Sequence, residues 1–143
     1  MCPKTLCTKL GPLALTLLRV VVGVIMTVHG WQKLNGIPQI VEAFTNMGIP
    51  NPQIAVYLAI AGEFLGGLGL IVGLLTPVAA FGVACTMAVA IFKVHWAKGL
   101  LAQNGGYEYP LTLLMVALFF MTNGAGPISL DRLICKNKNC KPK

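Results

Sequence analysis

The sequence predicts an all-α integral membrane protein, a four-helix bundle with a short interfacial helix between its first and second spans. The first observation is composition: 56% of the residues are hydrophobic and only 10% are charged, whereas a soluble domain is about a quarter charged. The second is that the apolar residues form four runs, since at roughly 20 residues per spanning helix a chain of this length has room for about four spans. We therefore expect one membrane domain over residues 1–143.

The first span is predicted over residues 10–30. Arg19 interrupts its apolar run and no cleavage site follows, so we interpret it as an uncleaved helix rather than a secretory signal. Trp31 and Lys33 mark the exit into the membrane interface, where aromatic rings and long cationic chains are stable. Between Trp31 and Pro52 the apolar residues recur at helical spacing in a segment too short and polar to span, which predicts a short interfacial or re-entrant helix that lies over the bundle.

The second span, residues 52–75, begins at Asn51-Pro52, and the third, residues 77–97, begins at Thr76-Pro77. An Asn or Thr side chain before Pro is a helix-start signature, because it can accept from the free amides of the first turn and Pro is tolerated there. The two spans are joined by almost no loop, so we expect them to be antiparallel neighbours.

A strip of small residues runs down one face of the second span. Its members are Ala55, Ala59, Gly62, Gly66, Gly69 and Gly73. Such strips let helix backbones approach closely in lipid. The strip predicts a helix contact, either within the chain or between copies in a homo-oligomer, and a substrate groove over the glycines is the alternative.

The fourth span is predicted over residues 108–123, after a polar connection. Ser129 is expected to cap a last turn that leads into a basic tail, so that residues 1–9 and 131–143 form two cysteine-containing tails. The fourth run is short for about 30 Å of hydrocarbon.

The distribution of Lys and Arg predicts the orientation. The residues on the side that holds both termini are Lys4, Lys9, Arg132, Lys136, Lys138, Lys141 and Lys143. The opposite side holds only Lys33, Lys93 and Lys98, so both termini should be cytoplasmic. The net charge of +7 then mostly reflects the excess of Lys and Arg on the cytoplasmic side, which sets the topology and attracts anionic lipids. Basic residues without interleaved aromatics do not indicate nucleic-acid binding.

Two charged residues are expected near the middle of the membrane. Glu63 lies eleven residues after Pro52, and Arg19 lies ten residues before His29, which places each about 15 Å deep. The two are predicted partners, because a bidentate ion pair satisfies both groups in hydrocarbon. They could fix helix docking, contact a ligand head group or relay a proton.

A second polar group is expected at the rim away from the termini. Antiparallel connectivity brings together the ends of three spans, which carry His29, His95 and Glu108. Two imidazoles and a carboxylate can bind a proton, a quinone carbonyl or a metal. The alternatives are interfacial rings bonded to water, and an acid that favours the positive end of a helix.

The cysteines divide into one inside the third span and two terminal pairs. Cys85 is expected to pack as a small hydrophobe. The pairs Cys2/Cys7 and Cys135/Cys140 lie on the same face, where four thiolates would suit zinc or an iron–sulfur centre. A reversible disulfide or thiol relay, and reduced thiols without a special role, are the alternatives.

Taken together, these residues resemble the DoxX family of small four-helix membrane proteins. The motifs that carry the resemblance are Leu18-Arg19-Val20-Val21-Val22-Gly23, His29-Gly30-Trp31-Gln32-Lys33-Leu34, Glu63-Phe64-Leu65-Gly66-Gly67, Gly73-Leu74-Leu75-Thr76-Pro77, His95, Asn104-Gly105-Gly106-Tyr107-Glu108 and Gly126-Pro127-Ile128-Ser129-Leu130-Asp131. They cover roughly residues 13–133. The resemblance implies a four-span bundle in a prokaryotic inner membrane. Some relatives are subunits of thiosulfate:quinone oxidoreductase, and others associate with oxidative-stress enzymes or quinone resistance.

Three functions follow from the sequence. The first is a redox-linked protein that holds a quinone among its helices, with Arg19, His29, Glu63, His95 and Glu108 supplying hydrogen bonds and protons. The second is a non-enzymatic scaffold that anchors a soluble redox enzyme on its cytoplasmic face. The third is a small lipid-binding or transport protein. We adopt the first, and leave open whether the chain is catalytic alone.

Overall fold

The structure, a computed structural model, describes the backbone of residues 4–137 and the side chains of residues 10–134. Within this part of the chain every regular element is helical, and the all-α prediction is confirmed. Three segments are long and apolar enough to cross a membrane, Leu10–Asn35, Pro52–Val72 and Thr76–Lys98, and a shorter apolar helix is Glu108–Asn123. These are spans one to four of a membrane helical bundle.

The helices, in chain order, are α1 Lys4–Asn35, α2 Ile37–Asn46, α3 Pro52–Ile60, α4 Gly66–Val72, α5 Thr76–Val89, α6 Glu108–Asn123 and α7 Leu130–Asn137. Two π-helical turns, Ala61–Leu65 and Ala90–His95, continue the helices inside spans two and three. Short 3-10 turns lie at Trp96–Lys98 and Ala102–Asn104. Span two is therefore α3, a π turn and α4 in one rod.

The first helix is longer than predicted, while the interfacial helix lies where the sequence placed it. α1 continues past the expected exit at Trp31 to Asn35. α2 follows at once and has no buried residue, as expected for a helix on the surface of the bundle. It ends before Gly48, whose φ of 66° is a left-handed conformation that glycine adopts without strain.

The predicted side-chain caps at the starts of spans two and three are wrong. Asn51 lies in the left-handed region, with a φ of 48°, and its side chain makes no capping hydrogen bond. At span three the residue before the helix is Leu75, with a φ of 47°, and Thr76 is already the first helical residue. Pro52 is the first residue of α3 and Pro77 is the second residue of α5, but the Asn and Thr side chains do not cap these helices.

Asp131 of α7 takes the place of the expected cap on span three. Its two carboxylate oxygens accept hydrogen bonds from the amides of Leu75, at 2.7 Å, and Thr76, at 2.9 Å. The amide of Asp131 in turn donates to the carbonyl of Gly73 at 2.9 Å. The free amides at the start of span three are thus hydrogen-bonded by a side chain of α7, the last helix that the structure describes. The predicted cap at Ser129 is confirmed, since its hydroxyl accepts from the amide of Arg132 at 3.2 Å.

The glycine strip of span two contacts span three within the chain. A Cβ added at Gly62 would lie 2.8 Å from the carbonyl oxygen of Gly82, and one at Gly66 would lie 2.9 Å from that of Ala79. Backbone therefore meets backbone along this face. A homo-oligomer through the same strip would have to displace span three.

The spans pack in chain order, with span one on span two, span two on span three and span three on span four. The buried core between them contains Val22, Met26, Leu70, Ala80, Val83, Ala84, Met87, Leu113, Ala117 and Phe120. Cys85 is exposed on the outer face of span three, so the prediction that it packs inside is wrong.

Candidate functional site

A cavity of about 390 Å³ lies between the four spans, at the end where spans one and three finish and span four begins. Its polar lining side chains are His29, Lys33, Glu63, His95 and Tyr109. Its other walls are Met87, Ala90, Ala102, Gly105, Gly106, Pro110 and Leu113. Three of the predicted site residues, His29, Glu63 and His95, therefore meet in one cavity.

Glu63 is paired with Lys33, the residue that the sequence placed at the membrane exit. The ammonium group of Lys33 donates to Oε2 of Glu63. The Glu63 side chain is 5% exposed and that of Lys33 is 22% exposed. A carboxylate this deeply buried is costly without a partner, and the lysine is supplied by the continuation of α1 beyond its predicted end.

The same part of α1 lies directly against span two. A Cβ at Gly30 would lie 2.7 Å from Cα of Phe64, and the rings of Trp31 and Phe64 have centroids 5.9 Å apart. Only a glycine permits this approach, which brings the last turns of α1 alongside Glu63. The side chain of Lys33 can therefore reach the buried carboxylate of Glu63.

Glu63 and His95 both lie on π-helical turns, Ala61–Leu65 and Ala90–His95. A π turn inserts one extra residue into a helix and rotates the side chains that follow, and such turns occur frequently at functional sites. Here the two turns lie on neighbouring spans and both carry a residue that lines the cavity.

The orientation of His95 is fixed by the connection between spans three and four. Its Nδ1 lies 2.6 Å from the carbonyl oxygen of Gly105. Because a carbonyl only accepts, Nδ1 carries the proton, and in the neutral ring Nε2 is the remaining acceptor.

Glu108 is near the cavity but does not line it. Its Oε1 accepts a hydrogen bond from the amide of Ala102 at 2.7 Å. Glu108 therefore lies at the same end of the bundle as the two histidines, as predicted, but it lies outside the cavity that they line.

The predicted pair between Arg19 and Glu63 is wrong. The guanidinium of Arg19 donates instead to the carbonyls of Ala125 and Ile128, both at 2.9 Å, and the residue is 2% exposed. It also lies against Gly73, at the end of span two. Ten residues separate Gly73 from Glu63, which is about 15 Å along a helix. Since Gly73, Ala125 and Ile128 lie just beyond the ends of spans two and four, Arg19 lies at the opposite end of the bundle from the cavity. α1 continues past Arg19 to Lys4, six residues before its predicted start.

Sequence reasoning missed Lys33 and Tyr109 as site residues. Lys33 follows His29 by four positions, which places both on one face of α1, and this spacing was the available signal. Tyr109 is 46% exposed and lines the cavity at the start of α6. Its position beside Glu108 gave no indication of which of the two would face inward.

The terminal cysteines Cys2, Cys7, Cys135 and Cys140 lie outside the side chains that the structure describes. Among the described residues, no group of three or more His, Cys, Asp or Glu side chains is arranged to hold a metal ion.

Comparison with known proteins gives the family. The DoxX family model matches residues 14–96. The chain is 30% identical over 122 residues to a Bacillus subtilis protein named "Putative oxidoreductase CatD", covering 85% of this chain and 87% of that one. It is 36% identical over 132 residues to a Haemophilus influenzae protein, covering 90% and 96%. It is 27% identical over 130 residues to the Escherichia coli "Inner membrane protein YqjF", covering 90% and 97%. No solved structure matches the chain.

Proposed function

We propose a redox-linked, quinone-binding role for this chain, which belongs to the DoxX family of membrane proteins. The relative from Bacillus subtilis whose name includes "oxidoreductase" supports a link to redox chemistry. The observation that carries the proposal is the cavity, in which polar side chains from all four spans meet apolar walls.

The chemistry of the lining suits a quinone head group. The two carbonyl oxygens of a quinone accept hydrogen bonds, and the cavity offers the ammonium of Lys33 and the hydroxyl of Tyr109 as donors. Met87, Leu113 and Pro110 supply apolar surface for the ring. The volume of about 390 Å³ falls within the range of small-molecule sites, about 300–1,000 Å³.

The cavity also holds groups that can carry protons. Reduction of a quinone to a quinol consumes two electrons and two protons, so a site for this reaction needs proton-carrying side chains beside the ring. Glu63 and the two histidines fill that role. The electrons come from a soluble redox enzyme that docks on the membrane protein, in keeping with the sequence, which shows no haem, flavin or nucleotide motif.

The protein is proposed to lie in a prokaryotic inner membrane with both termini in the cytoplasm. Relatives named as inner membrane proteins support the location, and the excess of Lys and Arg at the ends of the chain supports the orientation. In this orientation the cavity lies in the half of the bundle away from the cytoplasm.

The test measures quinone binding directly. The protein is purified in mild detergent, the lipid-soluble material that co-purifies with it is extracted, and the optical spectrum of this extract is recorded. A short-chain ubiquinone is then titrated into the purified protein while tryptophan fluorescence is followed. Glu63→Gln should weaken binding by about tenfold, or ~1.4 kcal/mol. Glu42→Gln makes the same chemical change on exposed α2 and should bind like the parent. Equal affinity of both variants would exclude this site.

The second candidate is a scaffold that anchors a soluble redox enzyme without binding quinone. The observation that favours it is the basic end of the chain, where Arg132 is exposed on α7. A protein that yields no quinone on extraction, does not respond in the titration and co-purifies with a redox enzyme would support the scaffold.

A further inference from the structure

The connection between spans three and four, residues 99–107, links Glu108 to His95. Glu108 does not line the cavity, yet its carboxylate accepts from the amide of Ala102 at 2.7 Å. The start of α6 is also tied to this connection by its backbone, since the amide of Glu108 donates to the carbonyl of Leu100 at 2.9 Å. The connection is thus anchored by one residue through both its side chain and its main chain.

From this anchor the connection turns back toward the cavity. The amide of Gly105 donates to the carbonyl of Ala102 at 2.8 Å, and Gly105 has a φ of 76°, a left-handed conformation suited to glycine. The carbonyl of Gly105 then accepts from Nδ1 of His95 at 2.6 Å. The stacked rings of Trp96 and Tyr107, with centroids 5.4 Å apart, hold the two ends of the connection together.

We propose that Glu108 is a positioning residue that sets the tautomer of His95. By holding Ala102, it fixes the turn whose Gly105 carbonyl keeps the proton on Nδ1, so that Nε2 is left as the acceptor. If the proposed quinone function holds, Nε2 is the atom that takes up a proton from water and passes it to the quinone during reduction, and it then accepts a hydrogen bond from the quinol product. The tautomer itself does not depend on that function. If Glu108 only stabilised the positive N-terminal end of α6, replacing it would not change the tautomer of His95.

The experiment reads the tautomer by nitrogen NMR. The chain contains two histidines, so protein labelled with ¹⁵N-histidine in detergent gives two sets of ring signals, and His29→Gln assigns them. The parent should show His95 with its proton on Nδ1. Glu108→Ala should move His95 toward the Nε2–H form, whereas Glu108→Gln, which keeps an acceptor oxygen, should retain the parent signal. Glu42→Ala is the matched control and should change nothing.

A second variant tests the same bond from its donor side. Ala102→Pro removes the amide that Glu108 accepts from. Proline is tolerated there, because Ala102 begins a short helix and Leu101 before it is extended, with φ of −71° and ψ of 128°. It should produce the same shift of His95 as Glu108→Ala, with the His29 signals unchanged.

The outcomes separate this inference from the proposed function. A parent-like His95 tautomer in both Glu108→Ala and Ala102→Pro overturns the positioning role, whatever the quinone affinity. If the tautomer shifts as expected while His95→Gln binds quinone like the parent, the positioning role stands and the quinone site at His95 is wrong.

Discussion

Asp131 caps the helix that begins at Thr76, although the two residues are 55 positions apart in the sequence: its Oδ2 accepts from the Thr76 amide at 2.9 Å. The same carboxylate accepts from the amide of Leu75. Because Arg19 binds the carbonyls of Ala125 and Ile128 just before α7, three distant segments are joined at this end of the bundle. The end away from the cavity is thus fixed by polar bonds.

This arrangement predicts a loss of stability without a loss of binding. Asp131→Ala leaves two helix-start amides without their acceptor, and should lower the free energy of unfolding by about 1–2 kcal/mol, the upper part of the range for helix caps. Unfolding in sodium dodecyl sulfate, followed by circular dichroism, measures it. Quinone affinity should be unchanged, because the cavity lies at the other end. Glu42→Ala is the control, and equal stability of the two variants would contradict the cap.

The contact between Gly30 and Phe64 predicts that a single methyl group added at Gly30 pushes spans one and two apart. A Cβ at Gly30 would lie 2.7 Å from the Cα of Phe64, and a backbone atom cannot move aside as a side chain can. Gly30→Ala should therefore cost about 1–3 kcal/mol, as overpacking does. Since Phe64 is next to Glu63, the variant should also bind quinone more weakly.

The matched control for this change is Val28→Ile, which adds one methyl group to the same helix at a position 49% exposed. The variant should be as stable as the parent to within about 0.5 kcal/mol, as surface substitutions usually are. Similar destabilisation by both substitutions would show that the close approach at Gly30 is not the cause.

The sequence predicted the helices because apolar runs of spanning length have few alternatives in lipid. It also predicted that His29 and His95 lie at one end, because antiparallel spans must bring those helix ends together. The partner of Glu63 was wrong because the prediction compared depths and ended the first span at residue 30. α1 continues to Asn35, so Lys33 is still helical and reaches the carboxylate.

The contacts of Arg19, Asp131 and Glu108 were beyond such reasoning for a common reason. All three side chains bond to backbone groups in turns, at Ala125 and Ile128, at Leu75 and Thr76, and at Ala102. Composition and periodicity do not show which carbonyl or amide a turn leaves without a hydrogen bond. The sequence can therefore predict that a buried charged residue needs a partner, but it cannot predict which backbone group the partner is.

The Lys33–Glu63 pair predicts an asymmetry between its two single variants. Lys33→Met leaves a carboxylate that is nearly inaccessible to water, and should cost about 3 kcal/mol, the lower end of the range for a broken buried pair. Glu63→Gln leaves a lysine that is partly exposed and can turn toward water, so it should cost about 1 kcal/mol. Unfolding in sodium dodecyl sulfate measures both.

Two further variants control this comparison. Lys93→Met removes an exposed lysine of span three and should leave stability unchanged. The double variant Lys33→Met with Glu63→Gln should be more stable than Lys33→Met alone, since the unpaired carboxylate is gone. A double variant less stable than either single would argue that the two side chains act independently.

Neighbouring residues on span three offer a test of the cavity that alters no polar group. Ala90 lines the cavity, whereas Val89 beside it faces outward and is 48% exposed. Ala90→Phe should fill the space that the quinone ring needs and weaken binding by about tenfold or more, ~1.4 kcal/mol, in the same fluorescence titration. Val89→Phe adds an aromatic ring to the lipid-facing surface and should bind like the parent. Both variants should keep the helical circular dichroism of the parent. If Ala90→Phe binds quinone as the parent does, the ligand lies outside this cavity, and the proposed role of Glu63 and His95 fails with it.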